Sequence, residues 1–286
     1  MGNSLKNKTA IITGGGRGIG RAIADRFAQE GCNLLLAART KSELENSAKA
    51  IRSKYGVRIK YQTIDISNEN SVQSMVEKAI SDFRKIDILV NNAAVIGPTG
   101  EITDINFNDF FNTLKINLGG TILCTQAVVK HMKKYNSGII INLSGGGALY
   151  PLPYYDAYSA SKAAIVRLTE NFAIEFDKYN ITVTAISPGA VNTKMFEEQL
   201  ANNKEIIGEK NWNNLRQRLQ SGGDSITKAP ELALYIASQT RTELNGRVIS
   251  AIWDDWAKIS DNKDQITDSD IYKMRRIIPK DRGIDF

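Results

Sequence analysis

A glycine-rich segment near the start of this chain restricts it to few folds. The segment reads Thr13-Gly14-Gly15-Gly16-Arg17-Gly18-Ile19-Gly20, and it follows the short apolar run Thr9-Ala10-Ile11-Ile12. After it, residues 21–28 carry apolar side chains at helical spacing. A buried strand that turns through glycines into a helix begins a β-α-β unit, which we expect to form part of a parallel sheet.

The rest of the 286-residue chain alternates short apolar runs with amphipathic stretches. This alternation predicts an α/β fold, in which helices cover both faces of a parallel sheet. We predict strands over 8–13, 33–38, 57–64, 86–91, 138–143, 181–187 and 247–252. We predict helices over 18–30, 41–55, 69–84, 106–135, 156–178 and 229–238, and weak helical spacing over 266–278. We expect one domain over 1–252 and a C-terminal extension over 253–286, packed on that domain or on a partner subunit.

Composition argues against several classes of function. The net charge is +6, but the lysines and arginines are scattered, so we expect no nucleic-acid binding. The chain has no apolar run long enough for a membrane span. The single histidine, His131, lies near a predicted helix end and is expected to be a cation there rather than a metal ligand. Cys32 and Cys124 are expected to be buried free thiols, which predicts a cytoplasmic protein with no metal site.

The glycine turn also predicts a ligand. Gly14, Gly18 and Gly20 allow a tight turn and a close approach of the backbone, and the helix that follows begins with unpaired N–H groups. A dinucleotide pyrophosphate binds at such a helix N-terminus. The alternative is a flexible loop that only connects a strand to a helix.

A second motif, Tyr158-Ser159-Ala160-Ser161-Lys162, predicts acid–base chemistry. Residues four apart lie on one face of a helix, so Lys162 is expected beside Tyr158. A phenol ordinarily has a pKa near ~10, and a nearby ammonium would lower that pKa toward neutral pH. The alternative is a solvated helix face, since the same spacing also occurs by chance.

Together these motifs resemble the short-chain dehydrogenase/reductase family, in particular its 3-oxoacyl-carrier-protein reductases. The resemblance covers about residues 6–250, whereas the C-terminal tail is atypical. It implies a single Rossmann-type, doubly wound sheet with strand order 3-2-1-4-5-6-7. It also implies hydride transfer between NAD(P)(H) and a small-molecule carbonyl or alcohol, in a homodimer or homotetramer.

The resemblance assigns positions to the cofactor. Arg17 and Arg39 match basic residues that bind the 2′-phosphate of NADPH, and guanidinium groups suit phosphate geometry. This predicts NADP(H) as the preferred cofactor, with NAD(H) possible. Asp65 matches a residue that contacts adenine, although it could instead begin a helix. The complete set implied for cofactor binding is Gly14, Gly16, Arg17, Gly18, Ile19, Gly20, Arg39, Asp65, Ile66, Asn92, Ala93, Tyr158, Lys162, Pro188, Gly189, Val191 and Thr193.

The resemblance also assigns catalytic roles. Tyr158 becomes the proton donor in carbonyl reduction, and Lys162 binds the nicotinamide ribose and lowers the pKa of Tyr158. Asn117 disturbs its helix and holds a water in a proton relay. Relatives place a serine thirteen residues before the tyrosine, where this chain has Gly145. We expect Ser144, one residue earlier, to take its place, because the neighbouring glycines can absorb the difference.

The function predicted is therefore NADPH-dependent reduction of a carbonyl substrate to an alcohol. One alternative is an NAD-dependent alcohol or sugar dehydrogenase, and another is a non-catalytic nucleotide-binding sensor or scaffold. Residues 194–227 correspond to the substrate lid of relatives. This lid is polar, which favours a polar substrate.

Overall fold

The computed structural model describes residues 3–200, 204–239 and 243–285. Its centre is a seven-stranded parallel sheet with the order β3-β2-β1-β4-β5-β6-β7, so the predicted strand order and fold class are confirmed. The strands are β1 (Thr9–Thr13), β2 (Asn33–Ala38), β3 (Ile59–Thr63), β4 (Ile88–Asn91), β5 (Gly138–Leu143), β6 (Ile181–Ser187) and β7 (Val248–Ser250). The predicted strands over 57–64, 86–91 and 247–252 are therefore too long by three, two and three residues, and the strand over 8–13 is too long by one.

Helices follow the strands at the expected places. They are α1 (Gly18–Gln29), α2 (Lys41–Tyr55), α3 (Glu69–Phe83), α4 (Phe107–Leu114), α5 (Gly120–Met132), α6 (Asp156–Phe176), α7 (Lys194–Leu200), α8 (Lys204–Ser221), α9 (Lys228–Ser238) and α10 (Lys263–Thr267). A π-helical turn, Lys115–Gly119, joins α4 to α5, so the helix predicted over 106–135 is not regular. The helix predicted over 266–278 is wrong, because α10 ends at Thr267 and non-helical chain follows.

The core lies on both faces of the sheet. Alternate residues of a strand point to opposite faces, and here both directions are apolar. In β1, Ile12 packs in a cluster with α1, α2 and α9, whereas Ile11 packs in a second cluster with α3 and α5. Both side chains are fully buried. Burial on both faces explains why the inner strands read as continuous apolar runs, whereas the edge strand β3 (Ile-Lys-Tyr-Gln-Thr) is only partly buried.

The C-terminal tail contacts the body of the same chain. Ile259 and Ile266 are buried in the cluster that contains Ile12 and Leu232. Arg247, just before β7, is almost completely buried and donates hydrogen bonds to tail carbonyls at Ile266, Thr267, Ser269 and Ile271. From these contacts we propose that residues 253–286 extend the domain formed by residues 1–252.

Two expectations about single side chains have different outcomes. Cys32 and Cys124 are buried free thiols, as predicted. Burial raises the pKa of both thiols, so neither is a reactive thiolate. His131 does lie in the last turn of α5, but it is buried there, and burial lowers the pKa of its imidazole. The prediction of a helix-end cation is therefore wrong, because burial favours the neutral form.

Candidate active site

A cleft of about 430 Å³ lies at the carboxyl ends of the strands, between the glycine turn and the start of α6. The strand order reverses between β1 and β4: the chain continues from β1 to β2 on one side and from β4 to β5 on the other. Ligands of such sheets bind in the crevice that opens at this reversal. The predicted site residues that line the cleft are Gly14, Gly16, Arg17, Gly18, Ile19, Arg39, Asp65, Ile66, Asn92, Ala93, Ser144, Tyr158, Lys162, Pro188 and Thr193.

The backbone conformation and close packing of the glycine turn leave no room for larger residues at several of its glycines. Gly14 and Gly18 have φ of 65° and 54°, in the left-handed region that favours glycine. A Cβ on Gly14 or Gly20 would overlap the amide nitrogen of Asn92. That nitrogen donates to the carbonyl oxygens of Thr13 (2.9 Å) and Gly14 (3.3 Å). The turn is thus held against the end of β4.

The N-terminus of α1 faces this turn with no side chain capping it, since Arg17 at the N-cap position makes no capping hydrogen bond. The free N–H groups and the helix dipole favour an anion there. Thr13 fixes the neighbouring strand ends, because its hydroxyl donates to Val90 O and accepts from the backbone N–H of Asn92 and Ala93. These features fit the pyrophosphate of a dinucleotide.

Charged side chains surround the end of the cleft next to β2 and β3. Arg17 forms ion pairs with Glu43 at 3.3 Å and with Glu198 at 3.7 Å. Arg39 is exposed and, in the described part of the chain, has no carboxylate within ion-pair distance. The carboxylate of Asp65 accepts hydrogen bonds from the N–H and hydroxyl of Ser67, which lower the pKa of Asp65.

Asp65 does not begin the following helix. Asn68 is the N-cap residue of α3, and its side chain accepts a hydrogen bond from Ser71 N. Asp65 therefore remains at the cleft wall with its charge available to a ligand.

Tyr158 and Lys162 lie one turn apart in α6, with the Lys162 Nζ 5.6 Å from the centre of the Tyr158 ring. Lys162 is buried, and its Nζ donates to the carbonyl oxygen of Leu143 at 2.7 Å. Burial raises the pKa of Tyr158 to about 12 and lowers the pKa of Lys162 to about 8. The predicted lowering of the Tyr158 pKa is thus wrong for these side chains alone, because desolvation outweighs the opposing effect of the Arg218 charge.

Ser144 follows β5 directly, and its hydroxyl is buried among the cleft residues. In the described part of the chain this hydroxyl has no hydrogen-bond partner. Buried hydroxyls are ordinarily paired, so an unpaired one at a cleft wall suggests that a ligand completes the pairing. Gly145 instead lies against Tyr158, since a Cβ there would overlap the phenolic oxygen.

Asn117 lies in the π-helical turn, so the predicted disturbance of the helix is confirmed. Its side chain is fully buried, accepts from Val95 N at 2.8 Å and donates to Val95 O at 2.9 Å. It also donates to the hydroxyl of Ser161 at 3.0 Å. Asn117 therefore joins the loop after β4 to the helix that carries Tyr158.

Four predicted site residues do not line the cleft, namely Gly20, Asn117, Gly189 and Val191. Gly20 and Asn117 act through packing and hydrogen bonds behind it. Gly189 has φ of 85°, which shapes the turn after β6, and Val191 is buried.

Other lining residues were not predicted, notably Glu43, Asn192 and Met195. Asn192 and Met195 flank the predicted Thr193, so their proximity along the chain was an available signal. Glu43 lies four residues after the predicted Arg39, but its contact with Arg17, which is 26 residues away, could not be inferred from the sequence.

The lid consists of α7 and α8, and α8 is kinked at Gly208 (φ 76°). An isolated antiparallel bridge pairs Val191 with Gly223, so the two ends of the lid meet. The Arg218 side chain lies over the Phe196 ring at 3.9 Å.

No helix within residues 3–200, 204–239 or 243–285 combines the length and apolar character needed to cross a membrane. Over the same ranges, no group of three or more His, Cys, Asp or Glu side chains is arranged to hold a metal ion.

Comparison with known proteins gives several similarities. The short chain dehydrogenase family matches residues 8–204. A 7alpha-hydroxysteroid dehydrogenase of Clostridium sardiniense is 38% identical over 201 residues, which cover 68% of this chain and 75% of that protein. A structure of NAD+-bound xylitol dehydrogenase has a TM-score of 0.81 at 29% identity, and covers 86% of this chain and 98% of that chain.

The structure of L-sorbose reductase from Gluconobacter frateurii, complexed with NADPH and L-sorbose, has a TM-score of 0.78 at 27% identity. The match covers 87% of this chain and 97% of that chain. These two structures thus hold different nicotinamide cofactors on one fold.

Proposed function

Because the chain belongs to the short-chain dehydrogenase family, whose NAD(P)-dependent oxidoreductases act on CH–OH and C=O groups, we propose that it reduces a carbonyl compound to an alcohol with NADPH. The observation that carries this proposal is the meeting of three side chains at one wall of the cleft. The unpaired hydroxyl of Ser144 lies there with Tyr158 and Lys162, across from the glycine turn.

A reduced nicotinamide bound in this cleft would supply a hydride to the carbonyl carbon. Tyr158 gives the proton to the carbonyl oxygen, and its raised pKa keeps the phenol protonated at neutral pH until then. The Ser144 hydroxyl donates a hydrogen bond that orients this oxygen. Lys162, largely charged at neutral pH, stabilises the phenolate that remains and binds ribose hydroxyls. Asn117 fixes the start of α6 through Ser161, and its place in a proton relay is part of the proposal.

The choice of NADPH rests on Arg39. It lies on the cleft wall at the end of β2, where sites that prefer NAD usually have an acidic residue. No carboxylate among the described residues lies within ion-pair distance of Arg39, although its charge helps to lower the pKa of Asp65, so a 2′-phosphate could pair with it. Arg17 is the second candidate for this contact.

One observation favours the alternative, an NAD-dependent alcohol or sugar dehydrogenase. Glu43 lines the same end of the cleft and pairs with Arg17 at 3.3 Å. A carboxylate there would repel a 2′-phosphate and could instead accept hydrogen bonds from ribose hydroxyls. The two arginines and Glu43 thus act in opposite directions on cofactor choice.

A reducing cytoplasm remains our expected location, from the two buried free thiols. A homodimer or homotetramer remains the expected assembly, from the family resemblance.

The first test is a paired titration of the protein with NADPH and with NADH, followed by tryptophan fluorescence. We expect tighter binding of NADPH, and Arg39→Ala should remove that preference. Equal or tighter NADH binding would overturn the cofactor proposal in favour of the dehydrogenase.

The second test is turnover of a panel of ketones and aldehydes. Tyr158→Phe should lower turnover by about 1,000-fold, because general acid catalysis contributes about this much, and should leave NADPH affinity nearly unchanged. Tyr150→Phe is the matched control, since Tyr150 is 80% exposed and does not line the cleft. Retained turnover in Tyr158→Phe would refute the assigned role.

A further inference from the structure

Arg218 extends from α8, at the back of the lid, to the chain segment that follows β6. Its Nε donates to the side-chain oxygen of Asn192 at 3.2 Å, and one terminal nitrogen donates to Val191 O at 2.7 Å. The guanidinium lies over the ring of Phe196, 3.9 Å from its centre, and Phe196 is itself buried. Stacking and two hydrogen bonds fix the position of this cation.

The position is beside the proposed reaction centre. Asn192, which accepts a hydrogen bond from Arg218, lines the same cleft as Tyr158 and Ser144, whereas Arg218 is held beside that wall and is not itself among the lining residues. The phenol of Tyr158 is close enough that the positive charge of Arg218 lowers its pKa, in opposition to the larger effect of burial. Arg218 is thus an electrostatic neighbour of the proton donor, although it lies on another element.

The charge of Arg218 is not neutralised within the described part of the chain, where no carboxylate lies within 4 Å of it. Asp224 is the carboxylate whose charge raises the pKa of Arg218. Its Oδ2, however, accepts a hydrogen bond from Ala190 N at 2.5 Å. A guanidinium has five N–H donors, and the acceptors described here occupy two of them. Half-buried cations are ordinarily paired, because burial without a partner is costly.

We propose that Arg218 determines specificity by binding a carboxylate on the carbonyl substrate, so that the substrate class is oxo acids. The inference rests on the proposed carbonyl reduction and adds the chemistry of the substrate. A carboxylate would supply the missing counter-charge and could accept two parallel hydrogen bonds from the unused donors. A neutral ketone or ester would leave the cation beside Tyr158 unpaired.

The polar lid agrees with this assignment. Apart from Phe196 and Ile207, which are buried, the described side chains of α7 and α8 are largely exposed. Most of these side chains are polar, which favours a polar substrate, although Met195, Trp212 and Leu215 are half-buried apolar side chains of the same helices. The fixed cation is the feature of the lid that can select among small polar carbonyl compounds.

The test compares acids with their own esters. Acetoacetate and methyl acetoacetate form one pair, and 4-formylbenzoate and its methyl ester form another. For each pair the ratio of kcat/KM, acid to ester, is measured with the wild-type protein, Arg218→Gln and Arg216→Gln. Arg216 is the matched control, because it is an exposed arginine on the same helix.

For at least one pair we expect the wild-type protein to prefer the acid, and Arg218→Gln should lower that ratio about 10- to 100-fold, the usual value of a hydrogen bond to a charged group. Arg216→Gln should leave the ratio as it is, and Arg218→Lys should restore part of it. A purely structural arginine would change both rates together and leave the ratio constant. That result, or wild-type protein that treats acid and ester alike in both pairs, would overturn the inference.

If neither NADPH nor NADH supports turnover of any carbonyl, the proposed function fails independently of Arg218. Calorimetric binding of the same acids and esters to the protein with cofactor then decides the inference. Selective acid binding that is lost in Arg218→Gln would support it, and equal binding of acid and ester would overturn it.

Discussion

Gly145 lies directly against the phenolic oxygen of Tyr158, so closely that a Cβ on this glycine would overlap it. Gly145 is also the residue thirteen positions before the tyrosine, where relatives have a serine. A serine side chain at position 145 would thus overlap the hydroxyl group of the tyrosine beside which relatives place it. The unpaired Ser144 hydroxyl, one residue earlier, is the group that we propose to orient a substrate oxygen.

This relationship predicts that Gly145→Ala lowers turnover about 100-fold, because the new methyl displaces the Tyr158 hydroxyl and small displacements of a reacting group have effects of this size. NADPH affinity should change little. Gly146→Ala is the matched control, since its Cβ would meet only Leu152 at 3.8 Å. Steady-state kinetics and cofactor titration measure both quantities, and normal turnover in Gly145→Ala would contradict the close contact.

Glu43 predicts an effect on cofactor choice. Glu43→Gln removes the carboxylate that pairs with Arg17, so Arg17 becomes available to a 2′-phosphate. The pair is partly exposed, and such pairs are weak, so we expect NADPH to bind about 2- to 5-fold more tightly. NADH affinity should not increase. Glu45→Gln is the control, because Glu45 lies on the same helix and does not line the cleft.

Lys162 predicts a pH dependence of stability. Its pKa is about 8 in the folded protein and 10.5 in its ordinary state, so the unfolded chain binds more protons between these values. Stability rises with pH wherever the unfolded state binds more protons. The free energy of unfolding of the wild-type protein relative to Lys162→Met should therefore increase between pH 8 and 10.5, by about 3 kcal/mol at most. Urea denaturation at several pH values measures it, and a constant difference would exclude the lowered pKa.

The hydrogen bonds of Arg247 are predicted to stabilise the tail. Arg247→Met removes the donors of Ile266 O, Thr267 O, Ser269 O and Ile271 O while keeping an apolar side chain of similar length. We expect a loss of about 3 kcal/mol or more, since buried carbonyls lose their partners. Chymotrypsin, which does not cleave at arginine, should then cleave the tail faster than in the control Arg276→Met, because Arg276 is exposed. Thermal unfolding measures the loss of stability, and equal midpoints for Arg247→Met and Arg276→Met would contradict the prediction.

The features that could be predicted from sequence are those encoded by nearby residues. The strand, glycine turn and α1 follow one another along the chain, and Tyr158 and Lys162 are separated by one helical turn. The strand order came from the family resemblance, because local patterns do not determine which strands are neighbours.

Other features depend on residues distant in sequence, so local patterns do not indicate them, and the disturbance of the helix at Asn117 was predicted from the family resemblance alone. The π-helical turn is held by Asn117 contacts with Val95 and Ser161, which are 22 and 44 residues away. The helix predicted after Ile266 fails because Arg247 binds the carbonyls that a longer helix would use itself. The pKa of Tyr158 follows from burial, which a four-residue spacing does not report.

Two backbone amides of β7, the last strand of the sheet, already have hydrogen-bond partners in the C-terminal tail. The amide of Val248 donates to Tyr272 O at 2.9 Å, and the amide of Ser250 donates to the carboxylate of Asp254 at 2.7 Å. An outer strand normally offers such groups to any extended chain that approaches it. In this protein its own tail accepts both hydrogen bonds, so a strand from a neighbouring molecule could pair with these two amides of β7 only after the tail had moved away.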